Sequence, residues 1–198
     1  MSREIEIEFK NLLTKQDFDL IKERFSIASD LFKKQINYYF DSPTFDIKRL
    51  GGALRIREKN NSYTLTLKLK QSVGHLEIHQ TLTEELAKNM LNSNDIPTGE
   101  VKSYLEDNGV SCQKLCLFGE LATNRAELLY QEGLLVLDHS TYFHIDDYEI
   151  EYEVTDEKIG SEVFSNLLNQ LQIPIRETPN KIKRFFTVKQ QLIGEKIE

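Results

Sequence analysis

The stretch Glu4-Ile5-Glu6-Ile7-Glu8-Phe9-Lys10 alternates charged and apolar residues without a break. A period of two is the pattern of a β-strand whose two faces meet different surroundings. Glu4, Glu6, Glu8 and Lys10 fall on one face, with Ile5, Ile7 and Phe9 on the other. Alone, the stretch fits a solvated edge strand, where charge also discourages aggregation. Later strands repeat the alternation, each with a chosen sign of charge, and that gives the stretch a second reading.

Near the other end of the chain, Tyr148-Glu149-Ile150-Glu151-Tyr152-Glu153-Val154 forms a second acidic ladder. Between the two acidic ladders lies a basic hairpin. Ala53-Leu54-Arg55-Ile56-Arg57-Glu58 alternates, Asn60-Asn61 turns, and Tyr63-Thr64-Leu65-Thr66-Leu67-Lys68-Leu69-Lys70 alternates back. Arg55 and Arg57 oppose Leu54 and Ile56, while Thr64, Thr66, Lys68 and Lys70 oppose Leu65, Leu67 and Leu69.

The remaining pattern supplies more strands and the helices to cover them. Residues 31–41 return to strand, with 35–41 rich in aromatic β-formers, and end at Ser42-Pro43, with Tyr38 and Phe40 expected in the core. Residues 45–50 lead into a turn at Gly51-Gly52, and 75–82 read as another strand. Further strands are expected near 114–123, 125–131, 134–139 and 142–155, with turns at Asn124, at Glu132-Gly133 and around Ser140. Helices are expected over 15–28, 84–92, 99–108 and 158–172, with a last one opening near Asn180. Thr14 and Thr83 are suited to cap the first two, and Phe18, Ile21, Phe25 and Ala28 mark the buried side of the first. No linker divides the chain, so residues 1–198 read as a single α+β domain.

Composition narrows the function classes. With 198 residues, 39% of them hydrophobic and 29% charged, the chain can bury a core and stay soluble. No apolar run approaches the roughly 20 residues that span a bilayer, and the N-terminus lacks the pattern of a signal peptide. These features predict a cytoplasmic protein. A net charge of −7 argues against general nucleic-acid binding, although a small polyanion responds to local charge of the opposite sign. Cys112 and Cys116 suggest neither a disulfide framework nor a four-ligand zinc site. His139 and His144 flank a turn and are expected at the surface.

On an open sheet, the charged ladders would be solvated and would form weak cross-strand pairs. In a closed barrel of about eight strands, the same residues would line a lumen wide enough for one small ligand. Basic strands on one side and acidic strands on the other suit a polyphosphate carrying a divalent metal. Arginine and lysine bind phosphate oxygens, and hard Mg²⁺ or Mn²⁺ prefers carboxylate oxygen.

Glu6-Ile7-Glu8-Phe9-Lys10 resembles the Glu-x-Glu-x-Lys signature of the CYTH superfamily, the triphosphate tunnel metalloenzymes. Tyr38-Tyr39-Phe40-Asp41-Ser42-Pro43, Leu54-Arg55-Ile56-Arg57, Thr64 to Lys70, Leu137-Asp138, the Glu149-Glu151-Glu153 strand and Asn180-Lys181-Ile182-Lys183-Arg184 resemble its later motifs, in order. The resemblance covers residues 4 to 184 and is closest to single-domain bacterial members of the adenylate cyclase and thiamine triphosphatase type. It implies a closed antiparallel tunnel of roughly eight strands with helices packed on the outside. It further implies Glu6, Glu8, Glu151 and Glu153 as ligands of Mg²⁺ or Mn²⁺. Lys10, Arg55, Arg57, Lys68, Lys70, Arg125, Lys181 and Arg184 would bind phosphates. Lys68, Asp138 and Tyr39 would stand nearest the reaction, Asp138 holding a second metal or orienting water. Glu4 and Glu149 share the parity of the metal ligands but would lie at a tunnel mouth.

Two positions depart from the family pattern. Asn180 replaces the usual serine, and His75-Leu76-Glu77-Ile78-His79 stands where many relatives alternate Arg and Glu. The histidines read either as solvated groups near an opening or as contacts to phosphate or to a softer metal. Lys183 reads as solvated. The expected function is metal-dependent hydrolysis of a small-molecule triphosphate (inorganic, thiamine or nucleoside) to a diphosphate and phosphate, with no membrane partner. An adenylate cyclase and a non-catalytic triphosphate or polyphosphate sensor are the alternatives.

Overall fold

The computed structural model describes residues 2–194. Eight strands run in chain order as β1 (Ser2–Leu13), β2 (Lys33–Asp41), β3 (Gly52–Lys59), β4 (Ser62–Lys70), β5 (His75–Leu82), β6 (Cys116–Tyr130), β7 (Gly133–Tyr142) and β8 (Ile145–Val154). Backbone hydrogen bonds join them in the order β1-β5-β4-β3-β2-β6-β7-β8, which closes on itself as an antiparallel barrel. Six helices accompany them: α1 (Lys15–Arg24), α2 (Asp46–Arg49), α3 (Glu84–Ser93), α4 (Glu100–Asp107), α5 (Glu157–Gln170) and α6 (Lys181–Gly194). Among the described residues no helix is long and apolar enough to cross a membrane.

The chain forms two compact units. One is built from residues up to Glu6 together with Gln35–Glu120, the other from Ile7–Lys34 together with the chain from Leu121 onward. In the first unit, the apolar parity of the strands is buried: Leu54 and Ile56 of β3, Leu65, Leu67 and Leu69 of β4, and Ile78 of β5. Ala87 and Met90 of α3 and Val101 and Leu105 of α4 pack on that face. Arg55, Arg57, Lys68, Glu77 and His79 have the opposite parity and face away from those helices. The Thr83 hydroxyl accepts from the Leu86 amide and starts α3, which ends at Asn94 in the left-handed conformation (φ 63°).

The second unit repeats the logic with its own core. Leu135 and Leu137 of β7 and Ile150 and Tyr152 of β8 are buried with Phe164, Leu167 and Leu168 of α5. Phe18 and Ile21 of α1 join them, as does half-buried Phe9 of β1. By contrast Ile5, on the apolar parity of β1, remains 57% exposed.

Several boundaries differ from the sequence expectation. β6 is one strand through Asn124, which pairs with His139 instead of turning. Its neighbours Thr123 and Arg125 are tied to Ser140 and Asp138, and that pairing overrides the turn preference of asparagine. The bond between the Thr123 and Ser140 hydroxyls (2.8 Å) also keeps Ser140 inside β7. The turn falls later, at Phe143-His144, both with positive φ. α1 stops at Arg24 because Ser26 takes a positive φ, which leaves Phe25 as the cap and Ala28 outside the helix. Residues 46–49 fold into short α2 because the Asp41 carboxylate accepts from the Ile47 and Lys48 amides.

A glycine inside a helix ordinarily costs about 1 kcal/mol relative to alanine. Gly160 of α5 reverses that rule, because a Cβ there would stand 2.5 Å from Val154 Cγ2 and 2.9 Å from Phe9 Cε2. Overpacking of this kind costs about 1–3 kcal/mol and outweighs the propensity gain. Gly160→Ala is therefore expected to lower the stability by about 1–2 kcal/mol, read as a drop in urea midpoint. A rise in midpoint would show that the α5–β8 contact has slack.

Candidate active site

In the first unit, the polar parity of β1, β4 and β5 brings opposite charges together. Glu4 pairs in register with Glu77, Glu6 with His75, and Lys68 with Glu77. The Lys68 ammonium bonds the Glu6 carboxylate and lies 3.1 Å from Glu77 Oε1. Glu77 is only 3% exposed. Burial works to raise its pKa, but the Arg55 and Lys68 cations outweigh burial and bring it down to about 2. Arg57 Nε donates to Asn37 Oδ1 (3.0 Å), and Tyr39 is buried opposite Arg55 across the β2–β3 ladder. His79 Nε2 lies 3.0 Å from Glu4 Oε1 and 3.3 Å from Glu77 Oε2, while its Nδ1 lies 2.9 Å from the Thr66 hydroxyl.

The second unit holds a larger network. Arg125 forks onto Asp138 (2.8 and 2.7 Å) and also donates to Glu151 (2.7 Å), with Glu153 at 3.9 Å. Lys181, the first residue of α6, donates all three ammonium hydrogens: to Asp138 (2.6 Å), Glu149 (2.8 Å) and Glu151 (2.7 Å). Arg184 follows one helical turn later and takes Asp147 with two nitrogens (2.8 and 2.9 Å) and Glu149 Oε2 at 2.6 Å. Lys10 contacts Glu8 at 3.0 Å and approaches Glu151 at 3.9 Å.

Asp138 and Glu149 are fully buried, and Glu151 is 5% exposed. Buried charges of this kind persist only when paired and hydrogen-bonded. Burial opposes ionisation of Asp138, yet Arg125 and Lys181 hold its carboxyl below the usual range. Glu151 is held well below it, burial again being outweighed by Lys181 and Arg125. Lys181 and Arg125 are pushed well above their ordinary values, because the surrounding carboxylates outweigh burial. Glu149 goes the other way. Burial, reinforced by neighbouring Glu151, lifts it to about 7 against the pull of Lys181 and Arg184.

The carboxylates of Glu8, Asp138, Asp147, Glu149, Glu151 and Glu153 and the cations of Lys10, Arg125, Lys181 and Arg184 belong to this network. Carboxylate oxygens are the donors that Mg²⁺ and Mn²⁺ prefer. The donor chemistry of this unit therefore fits the metal expected from the sequence.

Most of the expected site residues thus fall on the polar parity of the strands or at the start of α6. Lys70 is different: it lies exposed at the end of β4. Asp147 and Asn37 escaped the sequence reading, which placed Thr66 on the charged face of β4 without giving it a role. Asp147 continues the acidic ladder two residues before Glu149, and Asn37 stands two residues before Tyr39, so parity alone could have found both. Two histidines are more engaged than a solvated reading allows. His79 is half-buried among Glu4, Thr66 and Glu77, and His139 stacks on Tyr148 (4.7 Å) with Nε2 2.5 Å from Asp146. His144 and Lys183 are exposed as expected.

A family model for the CYTH domain matches residues 4–186. A Bacillus subtilis protein, YjbK, which bears the provisional name of a triphosphatase, is 47% identical over 193 residues, covering 98% of this chain and 100% of its own. The crystal structure of a Bacillus halodurans protein, provisionally named an adenylate cyclase, superposes with a TM-score of 0.91 at 43% identity, over 94% of this chain and 100% of that one. A Hippeastrum protein, HpAC1, described as a provisional adenylyl cyclase with a dominant triphosphatase activity, shares the fold with a TM-score of 0.78 at 22% identity, over 92% of this chain and 96% of that one. The chain belongs to the CYTH domain family.

Proposed function

We propose that this chain hydrolyses a small-molecule triphosphate to a diphosphate and phosphate with the help of Mg²⁺ or Mn²⁺. The observation that carries this reading is the second unit's network, in which the cations Arg125, Lys181 and Arg184 and the carboxylates of Asp138, Glu149 and Glu151 are held together out of water. The name of the Bacillus subtilis relative supports it. Inorganic triphosphate is the simplest substrate, with thiamine and nucleoside triphosphates next.

Phosphoryl transfer asks the protein for positioning and charge neutralisation more than for covalent chemistry. Glu6, Glu8, Glu151 and Glu153 are the residues that would hold the metal. A bound divalent ion supplies neutralisation of phosphate charge and a more acidic water. Lys10, Arg55, Arg57, Lys68, Lys70, Arg125, Lys181 and Arg184 are the candidates for binding phosphate oxygens, the arginines by forked hydrogen bonds. Asp138 accepts from Arg125 and Lys181 and would aim these two cations, while Glu151, which accepts from the same pair, would give up one of them to hold the metal. Lys68, tied to Glu6 and Glu77, would release one carboxylate and neutralise a leaving diphosphate. The Tyr39 hydroxyl is assigned to the reacting phosphate's surroundings. A cyclase is the second reading, favoured by the name of the Bacillus halodurans relative. It would release pyrophosphate and a cyclic nucleotide, so the products separate the two.

The test is phosphate release from inorganic, thiamine and nucleoside triphosphates with Mg²⁺, with Mn²⁺ and with chelator. Glu8→Gln is expected to lower kcat by about 10²-fold or more, and chelator to abolish turnover. Phosphate release that ignores both would remove the metal from the mechanism.

The low pKa of Glu77 also sets an acid limit on stability. The folded carboxyl, at about 2, binds its proton at lower pH than the unfolded one, at the ordinary 4.5. Its stabilising contribution is complete above the unfolded value and disappears as pH falls toward 2. Urea unfolding of metal-free protein between neutral pH and pH of about 3 is expected to show a steeper loss for the wild type than for Glu77→Gln. Parallel acid limbs would contradict the assignment.

A further inference from the structure

We propose that His79, Glu4 and Glu77 form a transition-metal site that takes a borderline divalent ion such as Zn²⁺, through one imidazole nitrogen and two carboxylate oxygens. The proposal concerns residues other than the four carboxylates assigned to Mg²⁺ or Mn²⁺ and does not depend on which reaction the chain catalyses.

Three observations carry it. First, one donor atom from each residue lies within 4.8 Å of the other two, and all three residues belong to the first unit. His79 Nε2 is 3.0 Å from Glu4 Oε1 and 3.3 Å from Glu77 Oε2. Ligands bound at about 2.1 Å to one metal stand about 3.0 Å apart along an octahedral edge and about 3.4 Å along a tetrahedral one. The imidazole is therefore already at ligand spacing from both carboxylates.

Second, the ring is oriented from behind. Thr66 Oγ1 lies 2.9 Å from His79 Nδ1, and Thr66 itself is buried. A hydroxyl that accepts from Nδ1–H leaves the Nε2 lone pair pointing at the carboxylates. This is the outer-shell arrangement that fixes the tautomer of a metal-binding histidine. Third, Glu77 divides its two oxygens. Oε1 faces the Lys68 ammonium at 3.1 Å, while Oε2 faces His79. Lys68 thus contacts Glu77 without occupying the oxygen that a metal would use.

The ligand set also explains why the chemistry differs from that of the carboxylates. Imidazole suits Zn²⁺ and its first-row neighbours, whereas Mg²⁺ prefers oxygen and gives up its waters reluctantly. A site with one nitrogen and two oxygens would retain Zn²⁺ in a large excess of Mg²⁺, leaving at least one position for water or a phosphate oxygen.

The experiment is a calorimetric titration of the full chain with Zn²⁺ in a large excess of Mg²⁺, run on the wild type, His79→Ala, Thr66→Val and His75→Ala. Circular dichroism checks that each variant is folded. One Zn²⁺ is expected per wild-type chain at this site. His79→Ala is expected to lose it, Thr66→Val to weaken it about 10-fold, and His75→Ala to leave it in place. A second measurement covers the case in which His79→Ala fails to fold. Pulsed EPR of the wild-type chain with Co²⁺ in the same Mg²⁺ excess should show nitrogen coupling that Thr66→Val alters. Absence of Zn²⁺ binding by the wild type would overturn the proposal. So would equal binding by wild type and His79→Ala, which would mark the trio as an imidazolium bridging two carboxylates. Loss of the site in His75→Ala with retention in His79→Ala would overturn it as well.

Discussion

Charge that is removed from water must be matched where it lies, and the structure meets that requirement most strictly around Lys181. A single ammonium donates to Asp138, Glu149 and Glu151, and Arg125 and Arg184 each hold two of the surrounding acids. Removing one partner from such a network leaves an uncompensated buried charge, which costs about 3–5 kcal/mol. The start of α6 is therefore fixed to β7 and β8 by electrostatics as well as by Phe185, which is buried against Tyr142 and Phe143. Burial lifts the Glu149 carboxyl to about 7, with neighbouring Glu151 adding to the rise against the pull of Lys181 and Arg184.

The first unit handles charge differently. Its acids are fewer, and Lys68 is shared between Glu6 and Glu77 while His79 serves Glu77 and Glu4. Arg55 acts on Glu77 through its field, and Arg57 is held by the neutral Asn37.

Much of this was legible in the sequence, because strand parity is a strict rule. Once Glu6, Arg55, Lys68 and Glu151 are placed on strands, the faces they share follow, and register pairs them with residues of the same parity. Turns were less legible. Asn124 and Ser140 carry turn-forming side chains, but Thr123–Ser140 and Arg125–Asp138 contacts from distant parts of the chain keep both in strands. The helix at residues 46–49 depends on the Asp41 carboxylate, a partner that helical periodicity does not reveal. His79 was readable as a residue on the polar face, while its grip by Thr66 and Glu4 depends on which strands become neighbours.

Under the proposed function, the acid-rich ladder of β8 holds a divalent ion. The most direct measurement is Mn²⁺ binding to the metal-free chain, counted by loss of the free-ion EPR signal, for the wild type and for Glu151→Gln. The wild type is expected to hold an Mn²⁺ that the variant loses or binds at least about 10-fold more weakly. The same number of ions bound at the same affinity by both proteins would contradict it.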